Sequence, residues 1–171
     1  LHTAYRRQRQ MCIETAYNTT LSASGETGEN GLLLPSLAAH NTIDIDAWCH
    51  YSTTGEGLHR AVDAADGTVY LYSQCEPADS KRVFACFDQP DLKAPIDLTV
   101  TAPAGWEIIS NSSIATSTPA ESPIYADVDA VTHHFQVTNP LCPYVFALCA
   151  GPYHRWSDTY HWHGDDGREI T

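Results

Sequence analysis

The sequence predicts an all-β fold: an antiparallel β-sandwich or saddle with one short helical turn near residues 77–84. Three observations predict it. Apolar residues recur with period two in several separate runs. Turn-forming residues break those runs at short intervals. Only one segment carries the marks of a helix start.

Taken in order, residues 1–30 are weakly patterned, and Ser22-Ala23-Ser24-Gly25-Glu26-Thr27-Gly28 reads as a loop. In Thr42 to Ala47, the residues Ile43, Ile45 and Ala47 share one strand face, and Asp44 and Asp46 share the other. Val69 to Ser73 reads as a shorter strand. Pro77 to Phe84 is the helical signal. Proline suits a first helical turn, and Asp79 lies near the positive end of the helix dipole. Asp88-Gln89-Pro90 ends that turn. In Pro95 to Thr101, Ile96, Leu98 and Val100 point one way. Trp106 to Ile109 is another short strand. Ser112 to Pro123 is the most loop-like interior segment. In Val131 to Val137 the odd positions form the apolar face. Tyr144 to Leu148 is apolar throughout, as expected of a strand covered on both faces. Gly55-Glu56-Gly57, Asp66-Gly67, Pro103-Ala104-Gly105 and Asn139-Pro140 supply the punctuation.

Composition narrows the function. Nine Lys+Arg against 21 Asp+Glu give a net charge of −12 over 171 residues. That balance argues against nucleic acid and against anionic membranes as main partners. At 43% hydrophobic and 18% charged residues, the chain has the make-up of one globular domain. The apolar stretch from Leu141 to Ala150 is about half a membrane span. The six cysteines, at 12, 49, 75, 86, 142 and 149, form no C-x-x-C pair and are too sparse for a disulfide scaffold. They are expected to be reduced, buried thiols in a cytoplasmic protein. Two N-x-S/T triplets, at Asn18 and Asn111, do not alter that expectation.

Among nine histidines none is followed by Glu, so H-E-x-x-H is absent. His161-Trp162-His163 with Asp165 and Asp166 is the nearest approach to a metal pattern, and it reads better as a polar loop. His133 and His134 are adjacent, so on a strand they face opposite sides. No phosphate-binding glycine loop and no G-x-S-x-G elbow occurs.

Tyr70 to Asp91 reads YLYSQCEPADSKRVFACFDQPD. This segment resembles the signature of the aminopeptidase N family of zinc gluzincins, in its actinobacterial-type form. There a Q-x-E element precedes a short helix and an F-x-C-x-D-x-P stretch. The matching pieces here are Gln74-Cys75-Glu76 and Phe84-Ala85-Cys86-Phe87-Asp88-Gln89-Pro90. The flanks agree: Thr54 to Arg60 reads TGEGLHR, and Asp91-Leu92-Lys93-Ala94 follows the proline. Leu98 to Pro103 and Trp106 to Ser113 match the family's next two strands, and Tyr144 to Tyr153 the strand that leaves the domain. Residues 31–156 are covered, most closely 54–111.

The resemblance implies that 31–156 is the family's N-terminal β-domain. Residues 1–30 would be its poorly matched, truncated start, and 157–171 the start of a linker towards a catalytic domain. In the family this β-domain packs against a thermolysin-like domain that holds zinc. The Glu that Glu76 matches accepts the substrate's free α-ammonium group, and the Gln that Gln74 matches lines the pocket for the first side chain. No catalytic residue and no zinc ligand of the family maps into this chain. The chain begins at Leu1, and it is expected to be a piece of a longer enzyme, inactive and free of zinc by itself. The partners expected are a peptide N-terminus and the enzyme's own catalytic domain, without nucleic acid or membrane.

The chemistry can be argued from the residue types. An aminopeptidase must tell a charged amine terminus from an internal amide, and a carboxylate in a partly desolvated cleft does this. At about 3 Å and an effective dielectric constant of about 20, the gross attraction is about 5 kcal/mol. Desolvation removes much of it and leaves about 1–3 kcal/mol of charge-assisted hydrogen bonding. Holding the terminus also places the first peptide bond. Residue 76 precedes a proline and is pushed to extended geometry, so Gln74 and Glu76 should share a face and Cys75 should point away.

Without the resemblance, Glu76 is an acid at the start of a short helix. Phe84, Phe87, Trp106 and Trp48 read as core, Lys81 and Arg82 as a solvated helix face, and Asp88 as a turn former bonded to local backbone. Two other functions fit less well. One is a scaffold of the same superfamily that lost its metal site, which would not need Gln74 and Glu76. The other is an unrelated carbohydrate-binding sandwich, which would need an aromatic platform. Epoxide hydrolysis is a minor option, because the branch with that activity carries Gln where Glu76 stands.

Overall fold

The computed structural model describes residues 18–20, 27–28, 31–32, 39–40, 42–45, 49–122, 128–156, 158, 162–163 and 169–170. Trp48, Cys12, Ala47, His161, Asp165 and Asp166 therefore lie outside the described residues. The strands are β1 (Asn18–Thr20), β2 (Thr27–Gly28), β3 (Gly31–Leu32), β4 (Thr42–Asp44), β5 (Gly57–Val62), β6 (Val69–Gln74), β7 (Thr99–Pro103), β8 (Glu107–Ser110), β9 (Ile114–Glu121), β10 (Asp129–Phe135), β11 (Leu148–Gly151), β12 (Trp162–His163) and β13 (Glu169–Ile170). Two short 3-10 turns, Ser80–Arg82 and Pro143–Val145, complete the described elements.

Two antiparallel sheets carry the fold. The larger has the order β5-β6-β11-β8, and the smaller β7-β10-β9. Smaller pairs are β2 with β3, β12 with β13, and β1 with β4, the last of which is parallel. Alternation decides the inner face of the larger sheet. Leu71, Ala150 and Ile108 are cross-strand neighbours on β6, β11 and β8, and all three are buried. Leu58 and Leu148 extend that face. Ala102 from β7 and Phe135 from β10 join the same buried cluster, so both sheets share one core. Full burial of an aliphatic or aromatic side chain of this kind is worth about 1.5–3 kcal/mol.

Several elements agree with the sequence pattern. β6 and β8 lie where the runs at 69 and 106 place them. Ile96, Leu98 and Val100 pack against the core while Asp97 and Thr99 are exposed. Ile43 on β4 is buried. His133 and His134 reach opposite neighbours: His133 Nδ1 lies 2.9 Å from Ser117 Oγ on β9, and His134 Nδ1 lies 3.0 Å from Thr99 Oγ1 on β7.

Other elements correct it. The loop expected over 112–123 contains β9, eight residues long. It has no buried face, since seven of its eight residues are exposed, and it pairs only with β10. Pro119 is tolerated there, since an edge strand can spare one ladder hydrogen bond. Tyr144 to Ala147 is not strand, and only Leu148 of the expected run belongs to one. Pro143 starts a 3-10 turn, with Val145 N–H donating to the Cys142 carbonyl at 3.1 Å, and pairing resumes only at Leu148. On β10 the buried residues are Ala130 and Phe135, of opposite parity, and Val137 is 59% exposed. The pairing register shifts between His134 and Phe135, which interrupts the simple alternation. Of the five described cysteines only Cys75 is buried; the other four are partly exposed, and none of the five is in a disulfide.

Candidate functional site

Gln74 is the last residue of β6, directly opposite Gly57, the first residue of β5. The sequence runs at 54–60 and 74–76 are therefore brought together by strand pairing. Cys75 is 1% exposed, whereas Gln74 and Glu76 are both exposed. The inward thiol fixes the strand end, and the residues on either side of it face solvent, as period two requires. The peptide bond between Glu76 and Pro77 is cis.

The chain then turns tightly. Asp79 N–H donates to the Cys75 carbonyl at 2.8 Å, and Arg82 N–H to the Asp79 carbonyl at 3.1 Å. The N–H groups of Val83 and Phe84 both donate to the Ser80 carbonyl. The helical turn expected over 77–84 is thus a compact turn with a 3-10 centre at Ser80–Arg82. Val83 and Phe84 are buried and anchor it, and Phe84 meets Phe146 edge to face at 4.9 Å. Asp88 does bond backbone: its Oδ2 accepts the Lys81 N–H at 3.1 Å. Phe87 does not belong to the core, being 43% exposed. Trp106 packs against the core from a half-buried position.

Arg82 is not merely a solvated residue. Its Nε lies 2.6 Å from Asp79 Oδ1 and its Nη1 lies 3.4 Å from Glu56 Oε2. It can sit there because residue 57 is glycine. Gly57 has φ +66°, and a Cβ placed on it would stand 2.9 Å from Arg82 Cβ. Sequence reasoning missed this arrangement. Half of it was visible, since Asp79 and Arg82 have the i,i+3 spacing of a helical ion pair. The approach of Glu56 depends on the β5–β6 pairing and has no local signal.

The segment before β5 is also ordered by its own side chains. Gly55 N–H donates to His59 Nδ1 at 2.9 Å, and the His59 ring lies 4.9 Å from the Tyr72 ring. A groove of about 310 Å³ lies alongside, lined by His50, Tyr51, Ser52, Thr53, Thr54, Leu58 and Arg82. Among the described residues the ion pairs at this end of the sheet are those of Arg82, and no cation pairs with Glu76. The Glu76 carboxylate is thus open to a cationic ligand. Among the described residues no three His, Cys, Asp or Glu side chains come together to hold a metal ion. These residues do not fit a zinc site.

The comparisons with known proteins bear on the whole segment. The family model described as Peptidase M1 N-terminal domain matches residues 34–145. The chain is 40% identical over 162 residues to Aminopeptidase N of Streptomyces lividans, covering 91% of this chain and 17% of that protein. It is 30% identical over 139 residues to Leucine aminopeptidase 2 of Emericella nidulans, covering 79% of this chain and 20% of the relative. A third relative, Probable aminopeptidase 1 of Sulfurisphaera tokodaii, is 30% identical over 93 residues. The chain spans a fifth or less of the length of these relatives.

Proposed function

Because the chain belongs to the family of M1 peptidase N-terminal domains, we propose that it anchors the substrate in a zinc-dependent aminopeptidase that removes N-terminal residues from peptides. Glu76 accepts the free α-ammonium group of the peptide, and Gln74 lines the space for the first side chain. The observation that carries this reading is the pair itself: two exposed polar side chains flank a buried Cys75 on a strand end. No described cation competes for the Glu76 carboxylate.

The chemistry assigned to these residues is binding and orientation. A carboxylate that captures an ammonium group rejects internal peptide segments, which present a neutral amide there, and it fixes the distance from the terminus to the first peptide bond. Zinc, by the family's habit, supplies the hydrolytic chemistry. The described residues do not fit it, so its ligands are residues other than these. The remaining partner is the enzyme's own catalytic domain, packed against this one. The proposed compartment is the cytoplasm, in keeping with five described cysteines outside any disulfide.

Steady-state kinetics of the full-length enzyme test the proposal. Glu76→Gln keeps size and polarity but removes the charge. It should lower kcat/KM for free-amine peptides by about 10- to 100-fold, the equivalent of about 1–3 kcal/mol. An unchanged kcat/KM would sink the anchor role.

A further inference from the structure

We propose that Arg82 is the positioning residue of the amine anchor, a role that rests on the reading of Glu76 given above. Three observations meet at this side chain. Its Nε holds Asp79, three residues after Glu76 on the same turn, at 2.6 Å. Its Nη1 holds Glu56 at 3.4 Å, on the segment that leads into β5. Between the two lies Gly57, which pairs with Gln74 and whose missing side chain leaves room for Arg82 Cβ. The guanidinium therefore closes a ring that runs from Gln74 through Glu76 and Asp79 to Arg82, and back through Glu56 and Gly57 to Gln74.

The ring does two things for Glu76. It ties the turn to the neighbouring strand on the solvent side, where Gln74 and Glu76 have no buried side chain of their own to hold them. It also occupies the half-exposed Glu56 carboxylate, which would otherwise offer the substrate ammonium a binding position out of register with the first peptide bond. A guanidinium suits both tasks, because its planar fork presents separate N–H groups to two acceptors, whereas an ammonium is a single point charge. The pair with Glu56 is exposed on both sides, at 53% for each side chain, and contributes little to global stability; the pair with Asp79, whose side chain is 16% exposed, is the more sheltered of the two. Cys75, Val83 and Phe84, all buried, keep the turn folded without them.

A double-mutant cycle in the full-length enzyme tests this, with kcat/KM for a free-amine dipeptide substrate and the melting temperature as readouts. Arg82→Ala should lower kcat/KM about tenfold in the wild-type background and less than twofold in the Glu76→Gln background, because the residue acts through Glu76. Arg82→Lys should recover part of the loss. Glu56→Gln, which opens half of the ring at an exposed position, should give a smaller loss with the same dependence on Glu76. Equal losses in both backgrounds would mark a general structural role and overturn the proposal. So would an unaffected kcat/KM in Arg82→Ala. If Glu56→Gln and Arg82→Lys act independently of Glu76, the proposal also fails, whatever the fate of the alanine variant. A Glu76→Gln enzyme with wild-type kinetics would instead remove the anchor reading itself, so the two failures are distinct.

Discussion

Cys86 sits in the stretch that follows the site, and its surroundings decide its chemistry. Partial burial comes first and the negative Asp88 second; together they push its thiol from 9.0 up to about 12. Burial raises the Cys149 thiol as well. A thiol that stays protonated at neutral pH is a poor nucleophile, so both residues pack rather than react. The sign of the pH effect follows. The folded state holds this proton more tightly than the unfolded chain does, so the contribution is fully present below pH 9 and is lost as pH rises towards about 12. Native protein should therefore show slow iodoacetamide labelling of Cys86 at pH 8. Its stability should begin to fall above about pH 9, with a shallower fall in Cys86→Ser. Rapid labelling of native Cys86 at pH 8 would contradict this account.

At the scale of elements, two neighbouring side chains join the end of β8 to the turn before β11: Ser110 Oγ donates to the Ala147 carbonyl at 2.7 Å, and Asn111 makes two further bonds. Asn111 Nδ2 donates to the Val145 carbonyl at 2.9 Å, and its Oδ1 accepts the Ala147 N–H at 2.7 Å. The side chain thus substitutes for strand pairing where Pro143 has broken it, and it delivers Leu148 to Ser110 in register. Asn111→Ala should cost about 1–2 kcal/mol, the value of two exposed hydrogen bonds. It should also speed amide exchange at Ala147 and Leu148 more than at Leu71. Uniform exchange across the sheet would show that the clamp carries nothing local. The same contrast explains what the sequence revealed. Strands with one buried face, such as β6 around Leu71, write their period into the residue order. The edge strand β9 has no such face, and its Thr- and Ser-rich run looks like a loop until β10 pairs with it. At the site, the outward placement of Gln74 and Glu76 was legible because Cys75 lies between them. The Arg82 ring was not, because Glu56 reaches it only through tertiary structure.

At the scale of the whole molecule, the outer face of the larger sheet remains to be accounted for. Its central row runs His59, Tyr72, Cys149, Ile109 across β5, β6, β11 and β8. Tyr72 is 37% exposed and Ile109 is 53% exposed. The inner row, by contrast, is closed over Leu71, Ala150 and Ile108. Gln74 lies two residues beyond Tyr72 on the same face, so the apolar row is continuous with the proposed anchor. Under the proposed function an anchor faces the reacting centre, and the proposed catalytic domain would then lie over this row. The proposed packing of the catalytic domain therefore has a definite side. In the full-length enzyme, Ile109→Asp should place a charge in that contact, lower the melting temperature by several degrees and cost about 2–3 kcal/mol, while Ile109→Val should cost less than about 1.5 kcal/mol. An exposed Ile→Asp change away from any interface stays within about 0.5 kcal/mol. Ile109→Asp with a wild-type melting temperature would mean that the catalytic domain packs elsewhere, and that Gln74 and Glu76 do not look towards it.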